Sequence, residues 1–323
     1  MLRAFVTGAN GFVGRHVVAA LLAEGSYVSV LCRKSGGHPH VAADGTVFIG
    51  DILDGDLLNS ILASQRFDAI FHIAGRNPAG AAADLYRINV LGTTTLLEAV
   101  RALRRPELKI VLLGSSAQYG EAKDDSITED SVTDPVTNYG VSKACADMMG
   151  RALFKETGQH VMRARAFNIV GPGQGTTSLQ GRVVEQIVEA ERGQRPPVIE
   201  TGSLTAYRDF IDVRDVATGL LAVARAGEAG EAYNVCSGQA IQAKSLVHSL
   251  VAMSKIPLTL TAVEHEAGFD VPYQRGSYEK LQRLRNWAPV WALDQSLQDA
   301  LDYRRNDGAH SRKDPAIVAA SRT

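Results

Sequence analysis

Several features are scarce in this 323-residue chain, and each scarcity excludes a class of protein. Cysteine occurs at Cys32, Cys145 and Cys236, too widely spaced for a metal cluster and odd in number. That pattern argues against a disulfide framework and for a reduced, cytoplasmic protein. The histidines form no His-x-x-x-His set, and His38 and His40 fall in a glycine-rich loop, so no metal is expected. Neither sign of charge dominates, since 34 Lys and Arg face 35 Asp and Glu for a net charge of −1. A nucleic-acid surface or a basic membrane patch is therefore not expected. No apolar run reaches the about 18 residues needed to cross a bilayer. The opening MLRAFVTGANG does not read as a signal peptide, because glycines interrupt it early. No internal repeat is found.

What is present begins with 45% apolar residues, ample for a core. Leu2 to Val6 reads as a strand that stops at Thr7-Gly8. Val13, Val17, Val18, Leu21 and Leu22 then recur at helical spacing. Glu24-Gly25 ends that helix, and Tyr27 to Leu31 begins a second strand. Gly8, Gly11 and Gly14 occupy the strand-to-helix turn, where they permit a tight bend and close approach of a pyrophosphate. A glycine turn that binds nothing is the bland reading. The strand before and the helix after favour a dinucleotide site with contacts from Gly8, Asn10, Gly11, Phe12, Val13 and Gly14. An NAD unit usually carries an acid at the end of the second strand. Cys32, Arg33 and Lys34 stand there instead, and two cations suit the 2′-phosphate, so NADP(H) is favoured over NAD(H).

Further apolar strands at TVFIGD, AIFHIAG and KIVLLGSS alternate with helical patterns such as ADLYRINVLGTTTLLEAVRAL. The alternation predicts a parallel sheet with helices on both faces and ligands at the carboxyl ends of the strands. Those ends offer Asp51 and Ile52 for the adenine, Ala74 and Gly75 for close backbone approach, and Ser115 and Ser116. Asn89, in the helical pattern, joins the expected cofactor set. In NYGVSK, Tyr139 and Lys143 lie four apart and share a helix face, a spacing also common on ordinary helices. His72, inside a strand, reads as a satisfied core histidine. The acidic residues of GEAKDDSITEDSVTDPVT read as solvated loop charges, and the segment from Asp307 as a loose tail.

TGANGFVG, SSAQYG and YGVSK, in that order and spacing, resemble the extended short-chain dehydrogenase/reductase family, and the likeness runs to ALDYRR. The resemblance implies an α/β fold, a Rossmann-type doubly wound parallel sheet with a smaller α/β substrate domain. Residues 1–167, with a returning segment at about 205–236, would be the NADP-binding domain. Residues 168–306 would bind substrate, interleaved with it, and 307–323 would be a flexible tail. By the same resemblance Tyr139 supplies a proton, Lys143 lowers its pKa and holds the nicotinamide ribose, and Ser115 holds the substrate oxygen. Ser115 is preferred to Ser116 because the family's hydroxyl lies four residues before the tyrosine of YG, here Tyr119. The helix of Tyr139 and its neighbour LGTTTLLEAVRAL imply a homodimer through a four-helix contact.

RAFNIVGPGQG, GSLTAYRDFIDVRDVA and EAYNVCSGQAI are most similar to the family's reductases of GDP-4-keto-6-deoxy-mannose. This implies that Ser115, Ser116, Arg165, Asn168 and Arg208 line a nucleotide-diphosphate sugar site, where an Arg fork suits phosphate oxygens. An internal salt bridge with Asp209 is the alternative for Arg208. Ser116 and Ala117 stand where the family's dehydratases carry acids, which argues against elimination. Ala267 and Ser277 replace an arginine and an aspartate of the related reductases, with Arg275 a partial substitute, so a 6-deoxy-heptose is also compatible. The expected activity is NADPH-dependent reduction of the C4 ketone of a GDP-4-keto-6-deoxy sugar for polysaccharide precursors. The alternatives are a 4-epimerase with bound NAD and a non-catalytic NADP-binding sensor.

Overall fold

The computed structural model describes residues 1–33, 45–77, 81–121, 125–262 and 271–306. Lys34, His38, His40, Ala267 and the segment from Asp307 lie outside the described residues. The chain begins with β1 (Arg3–Thr7), α1 (Phe12–Ala23), β2 (Tyr27–Cys32), β3 (Val47–Ile49), α2 (Gly55–Ser64) and β4 (Ala69–His72). A helical stretch follows, made of α3 (Ala82–Leu85), a π-helical turn (Tyr86–Leu91) and α4 (Gly92–Leu103). Next come β5 (Lys109–Ser115), a 3-10 turn (Ser116–Gln118), α5 (Asn138–Thr157) and β6 (Val161–Ala166).

β7 (Asn168–Val170), α6 (Leu179–Glu191), β8 (Val198–Thr201) and β9 (Tyr207–Asp212) lead away from these elements, and α7 (Val213–Ala226) and β10 (Ala232–Val235) return to them. The described chain finishes with β11 (Ala240–Gln242), α8 (Ala243–Ala252), β12 (Thr259–Ala262), α9 (Glu279–Arg285) and α10 (Leu293–Asn306). The main sheet runs β10-β6-β5-β4-β1-β2-β3, and every adjacent pair is parallel. The expected Rossmann-type α/β fold is thus present. Connections reverse direction at β1, so the crevice between the ends of β1 and β4 is where such a sheet takes its ligand.

Alternation along the strands feeds two apolar layers. Val6, Val17, Leu21, Val216, Leu220 and Val223 fill the layer under α1 and α7. Phe5, Leu58, Ile61, Ile70, Leu96 and Leu153 fill the opposite one, under α2, α4 and α5. Each such side chain stabilises the fold by about 1.5–3 kcal/mol through burial. A separate core of Val183, Ile187, Leu246, Leu250, Leu297 and Leu301 joins α6, α8 and α10 beneath the small β11-β9-β7 sheet.

Local chemistry sets the helix that matters most. Thr137 caps α5, its side chain accepting from Gly140 N, and Gly158 closes it at φ 72° with its N–H donating to Phe154 O. Two details differ from the sequence reading. The periodic stretch before β5 is interrupted by the π-helical turn, which carries the buried Asn89. Glu129 is no solvated loop charge, because its carboxylate accepts from Asn234 N at 2.6 Å and burial pushes its pKa up.

Candidate active site

The glycine turn is closed by Gly11 N–H donating to Gly8 O at 2.9 Å. Gly8 adopts φ +72°, and a Cβ there would lie 2.5 Å from Ala74 N, so the end of β4 presses directly on the turn. A Cβ on Gly14 would meet Gly8 O at 2.1 Å, which explains the third glycine. Helix α1 starts without a side-chain cap and without an acid in its first turn, so no carboxylate of that turn competes with an anion for its first N–H groups. Asn10 hydrogen-bonds the Cys32 thiol and ties the turn to the end of β2, where Arg33 is exposed. Phe12 packs edge-on to His16 and Val13 joins the core beneath α1. These features fit a dinucleotide pyrophosphate.

Beyond the turn, Asp51 Oδ1 accepts from Leu53 N at 3.1 Å, and the buried Ile52 fills the space over Gly92. Ala74 N–H donates to Thr7 Oγ1 at 3.3 Å. A Cβ on Gly75 would lie 3.1 Å from Asn89 Oδ1 and 3.2 Å from Lys143 Nζ. Gly75 therefore leaves a bare floor beside the lysine, as a ribose needs. Asn89 spends its side chain on the protein, since Oδ1 accepts from Arg76 N at 2.7 Å and Nδ2 donates to Arg76 O and Ser142 Oγ.

Ser115 ends β5, and Tyr139 and Lys143 lie one turn apart at the start of α5. The Ser115 hydroxyl hydrogen-bonds the Tyr139 phenol and favours its ionised form, while burial outweighs that bond and holds the phenol above its ordinary value. Ala117 N–H donates to Ser115 Oγ at 3.2 Å, which leaves the serine proton for the phenol or a substrate oxygen. Lys143 is 7% exposed, and its Nζ donates to Leu113 O at 3.0 Å. Burial lowers its pKa to about 8. In the protein alone, then, the Ser115 hydroxyl opposes the rise of the tyrosine pKa. The buried lysine still supplies a cation at neutral pH.

The residues expected to line the substrate side are more scattered. Asn168 Nδ2 donates to Asp209 O at 3.0 Å, and Arg208 Nη1 donates to Tyr207 O at 2.8 Å. Asp209 is buried and accepts from Ser237 N, Ser237 Oγ, Gly238 N and Gly276 N, so it is a structural acceptor. Ser116 is buried with its Oγ 3.5 Å from Gln274 Oε1. Arg165, expected in the same group, has partners within the protein. Its Nε and Nη2 donate to Asp147 at 3.0 Å, and Nη1 donates to Tyr119 Oη at 2.8 Å and Glu129 O at 3.0 Å. With four of its hydrogen bonds made inside the protein and 5% exposure, it braces the turn after Ser115 from behind.

Sequence reasoning missed Asp147, which holds both Arg163 and Arg165 one turn beyond Lys143. It also missed Gln274, whose Nε2 donates to Gly120 O at 3.0 Å and ties a late segment to the serine turn. Ser277 precedes α9 and accepts from Glu279 N at 3.4 Å, so it serves the start of that helix. Among the described residues no His, Cys, Asp and Glu group is arranged to hold a metal. No described helix is long and apolar enough to cross a membrane.

A glycine turn at the switch point of a parallel sheet, with Ser115 at a neighbouring strand end and Tyr139 and Lys143 on the helix after it, is the frame of a nicotinamide-dinucleotide-binding oxidoreductase fold. The chain belongs to the NAD dependent epimerase/dehydratase family, whose sequence profile matches residues 4–236. It is 32% identical over 308 residues to the GDP-6-deoxy-D-mannose reductase of Pseudomonas aeruginosa, covering 93% of this chain and 96% of that one. It is 31% identical to the dTDP-6-deoxy-L-talose 4-dehydrogenase (NAD(P)(+)) of Kitasatospora kifunensis, covering 92% and 94%. The structure of RMD from Pseudomonas aeruginosa complexed with NADPH superposes with a TM-score of 0.83 at 30% identity, covering 95% of this chain and 100% of that one.

Proposed function

We propose that this protein is an NADPH-dependent reductase of the C4 ketone of a GDP-linked 4-keto-6-deoxy sugar, of the mannose or heptose series, supplying polysaccharide precursors. The observation that carries the reading is Ser115 at the end of β5 with Tyr139 and Lys143 one turn apart at the start of α5, the Lys143 Nζ lying 3.2 Å from where a Cβ on Gly75 would stand. Arg33 at the end of β2, with no acid there, supports NADPH over NADH. The relatives that reduce or oxidise 6-deoxy sugars support the substrate class.

Gly8, Gly11 and Gly14 would hold the pyrophosphate, Lys143 the nicotinamide ribose, and Arg33 the 2′-phosphate. When bound, the reduced nicotinamide supplies a hydride to C4. Ser115 donates to the ketone oxygen and stabilises the charge that develops on it. Tyr139 transfers its proton to that oxygen, giving the alcohol. Lys143, as a cation, stabilises the phenolate left behind. Asn168 and Arg208 lie on the strands that would face the nucleotide sugar. Exposed Leu91, at the end of the π-helical turn before α4, and exposed Met148, on α5, support a homodimer through these helices.

Replacing Tyr139 by Phe tests the assignment. A reductase loses turnover while keeping NADPH binding, whereas a binding-only sensor is unaffected by the change. A 4-epimerase would instead retain NAD through purification and consume no added coenzyme.

A further inference from the structure

His72 is the last residue of β4, Cα-paired with Thr7 at the last position of β1. It is 4% exposed. An imidazole there must offset its own desolvation with directed hydrogen bonds. Both ring nitrogens make one. Nδ1 lies 2.8 Å from Thr7 Oγ1, and Nε2 lies 3.0 Å from Thr93 Oγ1.

The proton positions follow from the neighbours. Thr93 Oγ1 donates its only proton to Asn89 O at 2.6 Å, so it accepts from His72 Nε2–H. Burial and the nearby Lys143 keep the ring neutral, with its pKa lowered to about 3. Nδ1 is then an acceptor. Thr7 Oγ1–H donates to it, and Thr7 Oγ1 accepts in turn from Ala74 N–H at 3.3 Å. The result is a directed chain from the strand end beside Gly75 to the π-helical turn. The Asn89 side chain continues it, donating to Ser142 Oγ at 2.9 Å, and Ser142 Oγ donates to Tyr139 O at 2.8 Å.

We propose that His72 is a positioning residue that locks the dinucleotide turn to the helix bearing Tyr139 and Lys143, one ring nitrogen serving each side. Thr7 stands immediately before Gly8, so the Nδ1 arm sets the turn. The Nε2 arm acts through Thr93 and Asn89 on the catalytic helix. The proposal rests on the catalytic reading of Tyr139 and Lys143 for its kinetic consequences, and on the glycine turn alone for its binding consequence.

Two partial replacements separate the arms. His72→Asn keeps an acceptor near the Nδ1 position, and His72→Gln keeps an amide donor near Nε2. His72→Asn is expected to lose chiefly kcat, by about tenfold, with NADPH affinity held within about threefold. His72→Gln is expected to lose chiefly NADPH affinity, by about tenfold in a fluorescence titration without substrate. Thr93→Val should reproduce the first pattern and Thr7→Val the second, which keeps the test open if a His72 variant folds poorly. Thermal melts run in parallel report the common loss of stability. Variants that lower melting temperature alone, or His72→Asn and His72→Gln behaving alike, would overturn the proposal. If the wild-type protein turns over no ketone, the catalytic reading fails by itself, and the titrations of His72→Gln and Thr7→Val still decide the Nδ1 arm.

Discussion

At Tyr139 two influences act against each other. Burial holds the phenol in its neutral form, and the Ser115 hydroxyl favours the ionised one. In the proposed mechanism Lys143, one turn on along α5, is the cation that would favour the phenolate further. Loss of the proton donor in Tyr139→Phe is expected to cut kcat by about 10²–10⁴-fold, with NADPH affinity little changed, measured by turnover and by titration. Lys143 carries a pH prediction. Its pKa is lowered from 10.5 to about 8 by burial, so the cation is lost as pH rises through about 8. The kcat/KM profile of the enzyme should fall on the alkaline side near that value. The stability effect has the opposite sense. The buried cation costs stability fully below pH 8, and that cost disappears as pH rises from 8 to 10.5, where the unfolded chain also loses the proton. Lys143→Met should therefore be more stable than the parent at pH 7 by up to about 3 kcal/mol, a gap that closes by pH 10.5 in denaturant titrations.

At the level of elements, the site depends on how turns and helices are held. Gly14→Ala would drive a Cβ to 2.1 Å from Gly8 O, so the turn must open. NADPH binding should be lost while the far-UV spectrum of the folded chain persists. Behind α5, Asp147 neutralises two buried arginines. Asp147→Ala leaves both buried arginines without the carboxylate that neutralises them and should cost about 3–5 kcal/mol in equilibrium unfolding. These two elements differed in how legible they were. The glycine turn is local, since three glycines between a strand and a helix state their own geometry, and the Tyr139–Lys143 spacing does the same for α5. Arg165 gave no such sign. Its partner Asp147 lies 18 residues earlier on a helix, and nothing in a strand arginine says whether it meets a phosphate or a carboxylate. His72 was legible as a satisfied core residue, but the register with Thr7 that gives it direction belongs to strands 65 residues apart. The π-helical turn at Asn89 was equally invisible, because one inserted residue leaves the apolar spacing nearly unchanged.

For the whole molecule, a parallel sheet with its order reversing at β1 puts the glycine turn, Gly75 and Ser115 at the carboxyl ends of its strands, with Tyr139 and Lys143 at the start of the helix that follows β5. The exposed Leu91 and Met148 on the α4–α5 side predict self-association. Sedimentation should show a dimer, and Met148→Lys should shift it toward monomer; a parent that is monomeric at micromolar concentration contradicts this. The central claim concerns the reaction, and the most direct measurement is loss of NADPH absorbance on adding GDP-4-keto-6-deoxy-mannose generated in situ, with NADH run alongside. The account predicts rapid, stoichiometric oxidation of NADPH and slower oxidation of NADH. Folded protein that binds NADPH yet oxidises neither coenzyme with this ketone or its heptose counterpart would contradict it.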